Sequence, residues 1–298
     1  MAKTRKLYSL YKFTVKECRK DDIFTLSAAL AFYFIFSLGP VIYVVAWITS
    51  KFIPNDLSGI IGTALEGMED FIGPKGVDQI QILVENALIS KTGWFFKLAG
   101  FPMIILIAIG TFLSLQKSLN KIWEIPAPKQ NLFIILERRV IAFGFICLMA
   151  AMLIIFILLD ALTKILETQI ENYLPNMLFL IPFFNSYILE FSFLFILVFL
   201  VLKLLPDARL YWKDLIIGCA FTAFLFLIGK KAFAFFLSHT YFGNIYDAIG
   251  SIVLLLVWLY YNALIFYIGA EFTHCYSIIY GKGIMPKRGL ADLFARKS

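Results

Sequence analysis

A chain of 298 residues with 61% hydrophobic and 16% charged residues lies outside the range of a soluble domain, which runs to about 45–50% apolar and about 25% charged. Its apolar residues, 32 phenylalanines among them, gather in runs of about 18 or more, long enough to cross a hydrocarbon layer of about 30 Å. The expected fold class is therefore an all-α membrane helix bundle, and the formal charge of +7 reads as basic cytoplasmic loops rather than a nucleic-acid surface.

Residues 1–23 are basic, with apolar positions at Leu7, Tyr11, Thr14/Val15 and Cys18. That spacing predicts a short helix lying on the membrane surface; a disordered basic tail is the alternative. The first apolar run is too long for a signal-peptide core, and no small-residue cleavage site follows it, so it is expected to remain as a span. Six spans are predicted, over about 24–50, 98–115, 140–159, 187–205, 214–237 and 248–275, within a membrane domain of 24–280 and before a basic tail at 281–298. Each must be helical, because lipid offers no partner to an unpaired backbone amide.

Gly39 and Pro40 interrupt span one. Proline frees a carbonyl and bends a helix, which either opens backbone toward a solute or simply shapes the span. The outer loop 51–97 carries two apolar stripes at helical spacing, Leu57 to Met68 and Val77 to Leu88, parted by "GPKG". These predict two amphipathic helices capping the outer face. Span two is expected to run on through "SLQKSLNKIWEI" to Pro126. There Gln116 and Asn120, four apart with Trp123 beyond them, are expected to tie helices together.

Lys and Arg number 20 in the amino-terminal segment, the alternate loops and the tail, against 7 on the other side. The positive-inside rule then places both termini in the cytoplasm. In that frame Asp160, Glu190, Lys230, Lys231 and Asp247 fall at comparable outer depth. Each is costly in a span unless paired or snorkelling. They are candidates for an ion-pair lock between helices or for a pathway taking an anionic or amphiphilic solute. Toward the inner end of span six lie Glu271 and His274, with Asn262, Trp258 and Ser251 deeper. Asn262 is expected to tie helices. Glu271 is expected either to pair with Arg138 or Arg139 or to couple to protons.

Two histidines and no P-loop or GxSxG motif leave no basis for catalytic residues, a metal or a cofactor. Cys18, Cys147, Cys219 and Cys275 match no zinc or redox spacing, and all fall on or near the cytoplasmic side, so no structural disulfide is expected.

Three stretches carry a resemblance. They are "SAALAFYFIFSLGPVI" in span one, "SLQKSLNKIWEIP" after span two, and the run from "LKLLPDARLYWKDLIIGCAFT" to "IFYIGAEF" through spans five and six. Together they resemble the YihY/BrkB family of bacterial inner-membrane proteins over about residues 20–280. Pro206, Trp212, Gly218, Lys230, Tyr246, Gly250, Trp258, Gly269, Ala270 and Glu271 fall on the family pattern. Asp247 departs from it, where the family usually has Gly. The resemblance implies six spans, both ends cytoplasmic and no established enzyme activity. Members have carried the name ribonuclease BN, and some are linked to serum resistance or virulence. The residues for metal-dependent RNA cleavage are absent here. The expectation is an integral inner-membrane protein that is not an enzyme, serving transport or the envelope, with membrane lipids as partners and no nucleic acid. A small-molecule or lipid-like substrate and the oligomeric state stay open. The alternatives are a non-transporting envelope scaffold and a lipid-acting membrane enzyme.

Overall fold

A computed structural model describes residues 2–36, 109–126, 188–239 and 247–286, with isolated helical positions between 140 and 155. The described elements are α1 (Ala2–Lys20), α2 (Ile23–Phe36), α3 (109–122), α4 (Leu189–Leu204), β1 (Ala208–Arg209), α5 (Trp212–His239), α6 (Asp247–Ile279) and β2 (Met285–Pro286). The predicted outer loop 51–97, with Gly39, Pro40, Asp160, Arg138, Arg139 and Cys147, lies outside the described residues.

The chain divides into two compact units. The first comprises Met1–Asp22, Gln116–Ile228 and Ile265–Ser298; the second comprises Ile23–Leu115 and Gly229–Leu264.

In the first unit α4 is apolar all round, as suits a helix among lipids or other helices. Glu190 sits in its first turn and Lys203 in its last, each at the end its charge favours. One side is buried through Val198, Val201, Leu202 and Leu205, while Ile196 and Leu204 are exposed. Pro206 follows and the helix stops. Lys203 Nζ stands 4.4 Å from the centre of the Trp212 ring at the turn into α5, an aromatic–lysine pairing typical of a membrane boundary.

Helices α5 and α6 have 28 and 33 residues, so they are about 42 and 50 Å long. Among the described residues, the stretches Trp212–Phe236 and Leu255–Ile279 are long and apolar enough to cross a membrane, with mean hydropathy 1.8 and 1.4. Within the first unit these helices meet through a reciprocal contact. A Cβ on Gly218 would strike Thr273, and a Cβ on Gly269 would strike Thr222. Each threonine hydroxyl donates to the carbonyl four residues back on its own helix, at 2.7 Å in both cases. Both helices thus carry the same G-x-x-x-T pattern, which permits close backbone approach where apolar surface alone gives lipid-embedded helices no reason to associate.

After α6 the chain turns at Gly283, whose φ of 77° favours glycine. It then pairs antiparallel with the α4–α5 turn, Ala208 opposite Pro286 and Arg209 opposite Met285. This short ladder is the one departure from an all-helical fold among the described residues.

In the second unit α2 buries Ile23, Ser27, Leu30 and Ala31 on one face and exposes Phe24, Phe32 and Phe36. Phe233 of α5 stacks on Tyr261 of α6 with ring centres 6.0 Å apart.

Candidate functional site

The richest set of buried polar groups lies in the first unit, where α1, the end of α3 and the inner part of α6 meet. Helix α1 turns Leu10, Thr14, Glu17, Cys18 and Asp21 inward. Tyr11 and Val15 of the predicted apolar stripe are instead exposed, at 69% and 36%. The inward face of α1 is therefore partly acidic, and its exposed tyrosines and valine form the face available to lipid.

Helix α3 ends in a turn that explains much of the local geometry. Glu124 N–H donates to the Lys121 carbonyl and Ile125 N–H to that of Asn120, at 3.0 and 2.8 Å. Glu124 stands at φ 51°, in the position that usually takes glycine. Its carboxylate is repaid by Lys20, whose Nζ lies 2.6 Å from Glu124 Oε1 and 2.7 Å from Glu17 Oε2. The hydrogen bonds to Glu124 and then Glu17 hold the Lys20 ammonium above its ordinary pKa, and the bond from Lys20 holds the Glu124 carboxyl below its own. Lys121 Nζ donates to the Asp21 carbonyl at 2.7 Å. The indole of buried Trp123 donates to the Ala270 carbonyl at 3.2 Å. Burial pushes the Cys18 thiol up to about 12.

Gln116 and Asn120 face the α4–α5 turn. Gln116 donates to the Leu205 carbonyl at 3.0 Å. Asn120 donates to Asp207 Oδ2 at 2.9 Å and accepts from the Asp207 backbone N–H at 3.0 Å. One amide thus satisfies both a carboxylate and the backbone beside it. Asn262 turns back on its own helix, donating to the Trp258 carbonyl at 2.7 Å.

Glu271 lies at the centre. It is 0% exposed, and among the described residues neither of its carboxylate oxygens meets a hydrogen-bond donor. Its nearest basic atom on α6 is His274 Nδ1, 4.0 Å from Oε2, beyond hydrogen-bonding distance. His274 Nδ1 is likewise buried, with no hydrogen-bond partner among the described residues. Asp21, Glu17 and Lys20 make up the charged surroundings of Glu271. No group of three or more His, Cys, Asp or Glu side chains among the described residues is placed to hold a metal ion. Cys18, Cys219 and Cys275 are free and buried.

Of the outer-depth candidates, Glu190 is half-buried in the first turn of α4, and Lys230 and Lys231 are exposed on α5. Asp247 is the first residue of α6. The groups that sequence reasoning passed over are Glu17, Asp21, Asp207 and the Gly218/Thr273 and Gly269/Thr222 contacts. The duplicated strings "GCAFT" and "GAEFT", and the acids Glu17 and Asp21 four residues apart in a mostly basic segment, are the signals that point to them.

Comparison with known proteins agrees with the membrane reading. The family model described as "Virulence factor BrkB" matches residues 14–283. Similar proteins include a "UPF0761 membrane protein" of Pseudoalteromonas atlantica, 27% identical over 276 residues, which cover 89% of this chain and 85% of that one. Another, from Chlorobium phaeobacteroides, is 27% identical over 292 residues, covering 95% of this chain and 60% of the relative. A third, from Vibrio campbellii, is 28% identical over 271 residues, covering 89% and 81%. The chain thus spans less than two thirds of the Chlorobium relative's length. No solved structure matches. With the family model aligned from α1 to the turn after α6, the chain belongs to the BrkB family of membrane proteins.

Proposed function

We propose that this chain is a non-enzymatic transport protein of the bacterial cytoplasmic membrane that crosses it six times with both termini inside. The observation that carries this reading is Glu271, a fully buried carboxyl with no donor among the described residues, on a helix of membrane-crossing length and composition. Ionisable groups so placed are costly and mark solute or ion pathways. The cation asymmetry of 20 to 7 supports the topology.

The test is flux through liposomes holding the purified chain, over a panel of anionic, cationic and lipid-like envelope solutes. Flux for one class, lost in Glu271→Gln and in Lys230→Ala, supports the reading. No flux for any class overturns it in favour of an envelope scaffold. That second reading draws on the Asn120–Asp207 clamp and the Gly–Thr contacts, which are rigid ties of the kind a scaffold needs.

A further inference from the structure

Within the first unit, a half-exposed side of α4 carries a ladder of rings. Phe191, Phe195 and Phe199 recur every four residues, so they share one face, and successive rings lie near parallel with centres 6.3 Å apart. The Phe199 ring stands 5.6 Å from the Trp212 ring, and Lys203 Nζ lies 4.4 Å from the centre of that same ring. The three phenylalanines cover two turns of helix, about 12 Å, and the hydrocarbon of one leaflet is about 15 Å deep. The ladder is thus apolar along a leaflet's depth and cationic at one end, the length and polarity of a single phospholipid.

Three elements build the cationic end. Tyr211 and Trp212 adjoin in the chain and are 44% and 61% exposed. Each has a lysine over its ring: Lys203 from the last turn of α4, and Lys282 from the turn after α6, 4.9 Å from the centre of Tyr211. The β1–β2 ladder holds that turn beside the start of α5, and exposed Arg209 and Lys213 flank the rings in sequence. Over 203–214 and 280–286 the cations outnumber the acids by four to two. Of those acids, Asp207 is engaged by Asn120 and Asp214 is buried. A single lysine–tryptophan pair marks a membrane boundary and no more. Lysines from separate elements on two adjacent exposed rings, beside an apolar ladder, leave a surplus of positive charge that an anionic headgroup complements.

We propose that this surface binds one anionic phospholipid, with its phosphodiester at Lys203 and an acyl chain along Phe199, Phe195 and Phe191. Lys282 adds to the positive field at the headgroup. The indole and phenol rings position the two amines by cation–π attraction, so the charge is set in place before the lipid arrives. The proposal goes beyond the transport reading and does not rest on it: the site serves a scaffold as well as a carrier.

The experiment is native mass spectrometry of the detergent-solubilised full chain, titrated with phosphatidylglycerol and with phosphatidylcholine of the same acyl chains. The expected result is tighter binding of the first phosphatidylglycerol than of phosphatidylcholine. Lys203→Gln is expected to weaken phosphatidylglycerol binding about fivefold, the worth of one lysine near an anionic headgroup, and Phe195→Ser is expected to weaken both lipids. Lys12→Gln, which removes the same charge from the exposed face of α1, is expected to leave the affinity unchanged. Equal binding of the two lipids overturns the proposal, as does an affinity untouched by Lys203→Gln or lowered as much by Lys12→Gln. If Lys203→Gln fails to fold, Lys282→Gln decides, and an unchanged affinity overturns the proposal. Deacylated glycerophosphoglycerol separates the sources of the phosphodiester. If it displaces the lipid at equal concentration, the site takes a soluble anion and the lipid proposal falls; failure to displace it supports the acyl ladder.

Discussion

Asn120 does several jobs with one side chain, because both ends of its amide are used on Asp207. Asn120→Ala leaves a carboxylate and a backbone N–H without their partner at a part-buried turn, a loss of about 1–3 kcal/mol. Thermal unfolding of the detergent-solubilised chain measures it, and Asn120→Asp is expected to be worse still, since it sets a second carboxylate against Asp207. Cys18 offers a finer probe. Its thiol is buried and pushed up to about 12, so at neutral pH it is nearly all thiol, and the thiolate is the reactive form. Maleimide labelling, located by mass spectrometry, is expected to be slow at Cys18 in the wild type and clearly faster in Lys20→Ala, where α1 loses its ties to Glu17 and Glu124. Gln116 and Asn120 were legible in the sequence as polar residues one turn apart in an apolar helix. Asp207 was not, because nothing in a string shows that the α4–α5 turn folds back over them.

Among the elements, α1 and the α5–α6 pair illustrate opposite kinds of attachment. The Lys20–Glu124 bridge joins two half-exposed side chains, so it is weak and screened by salt. Its pH dependence follows from the two shifts. The Glu124 contribution is present above the ordinary carboxyl pKa and fades as pH falls through the lowered folded value. The Lys20 contribution is full below the ordinary lysine pKa and fades as pH rises through the raised one. The bridge is therefore flat through neutrality and fails in acid and in strong alkali. Limited proteolysis of α1, by pepsin in acid and by trypsin in high salt, is expected to quicken, and Glu124→Gln is expected to remove the acid dependence contributed by the bridge. The α5–α6 contact is steric. Gly218→Ala and Gly269→Ala are each expected to cost about 1–3 kcal/mol by overpacking, read as lowered thermal stability. Gly218→Ala combined with Thr273→Ala is expected to recover part of the loss, because the atoms in conflict belong to Thr273. The helix of α1 was legible in its spacing, but the burial of Glu17 and Asp21 was not, because a basic, amphipathic segment looks the same whether its acids meet water or are covered by another helix.

At the scale of the whole molecule, hydropathy and charge carry the most information. The apolar runs near 187–205, 214–237 and 248–275 fall on α4, α5 and α6, and of these α5 and α6 hold stretches long and apolar enough to cross a membrane. The topology is tested by single cysteines in a chain without its native four. A cysteine at Gly73 is expected to react with an impermeant reagent on intact cells, and one at Ser298 only after lysis; the reverse pattern would invert the orientation. Glu271 was picked out by its depth in an apolar run, while Arg138 and Arg139, expected to pair with it, lie outside the described residues. Such pairings are set by tertiary contact over long sequence separation, and no local pattern encodes them.

The reciprocal glycine–threonine contact has one more consequence. Sliding α5 along α6 by a turn would bring larger side chains to the places where backbones now nearly touch, so translation along this seam is blocked in both directions. Whatever mobility the first unit possesses must pass around that fixed spine, and α1, tied near its carboxyl end largely through Lys20 and Lys121, is the member free to give way.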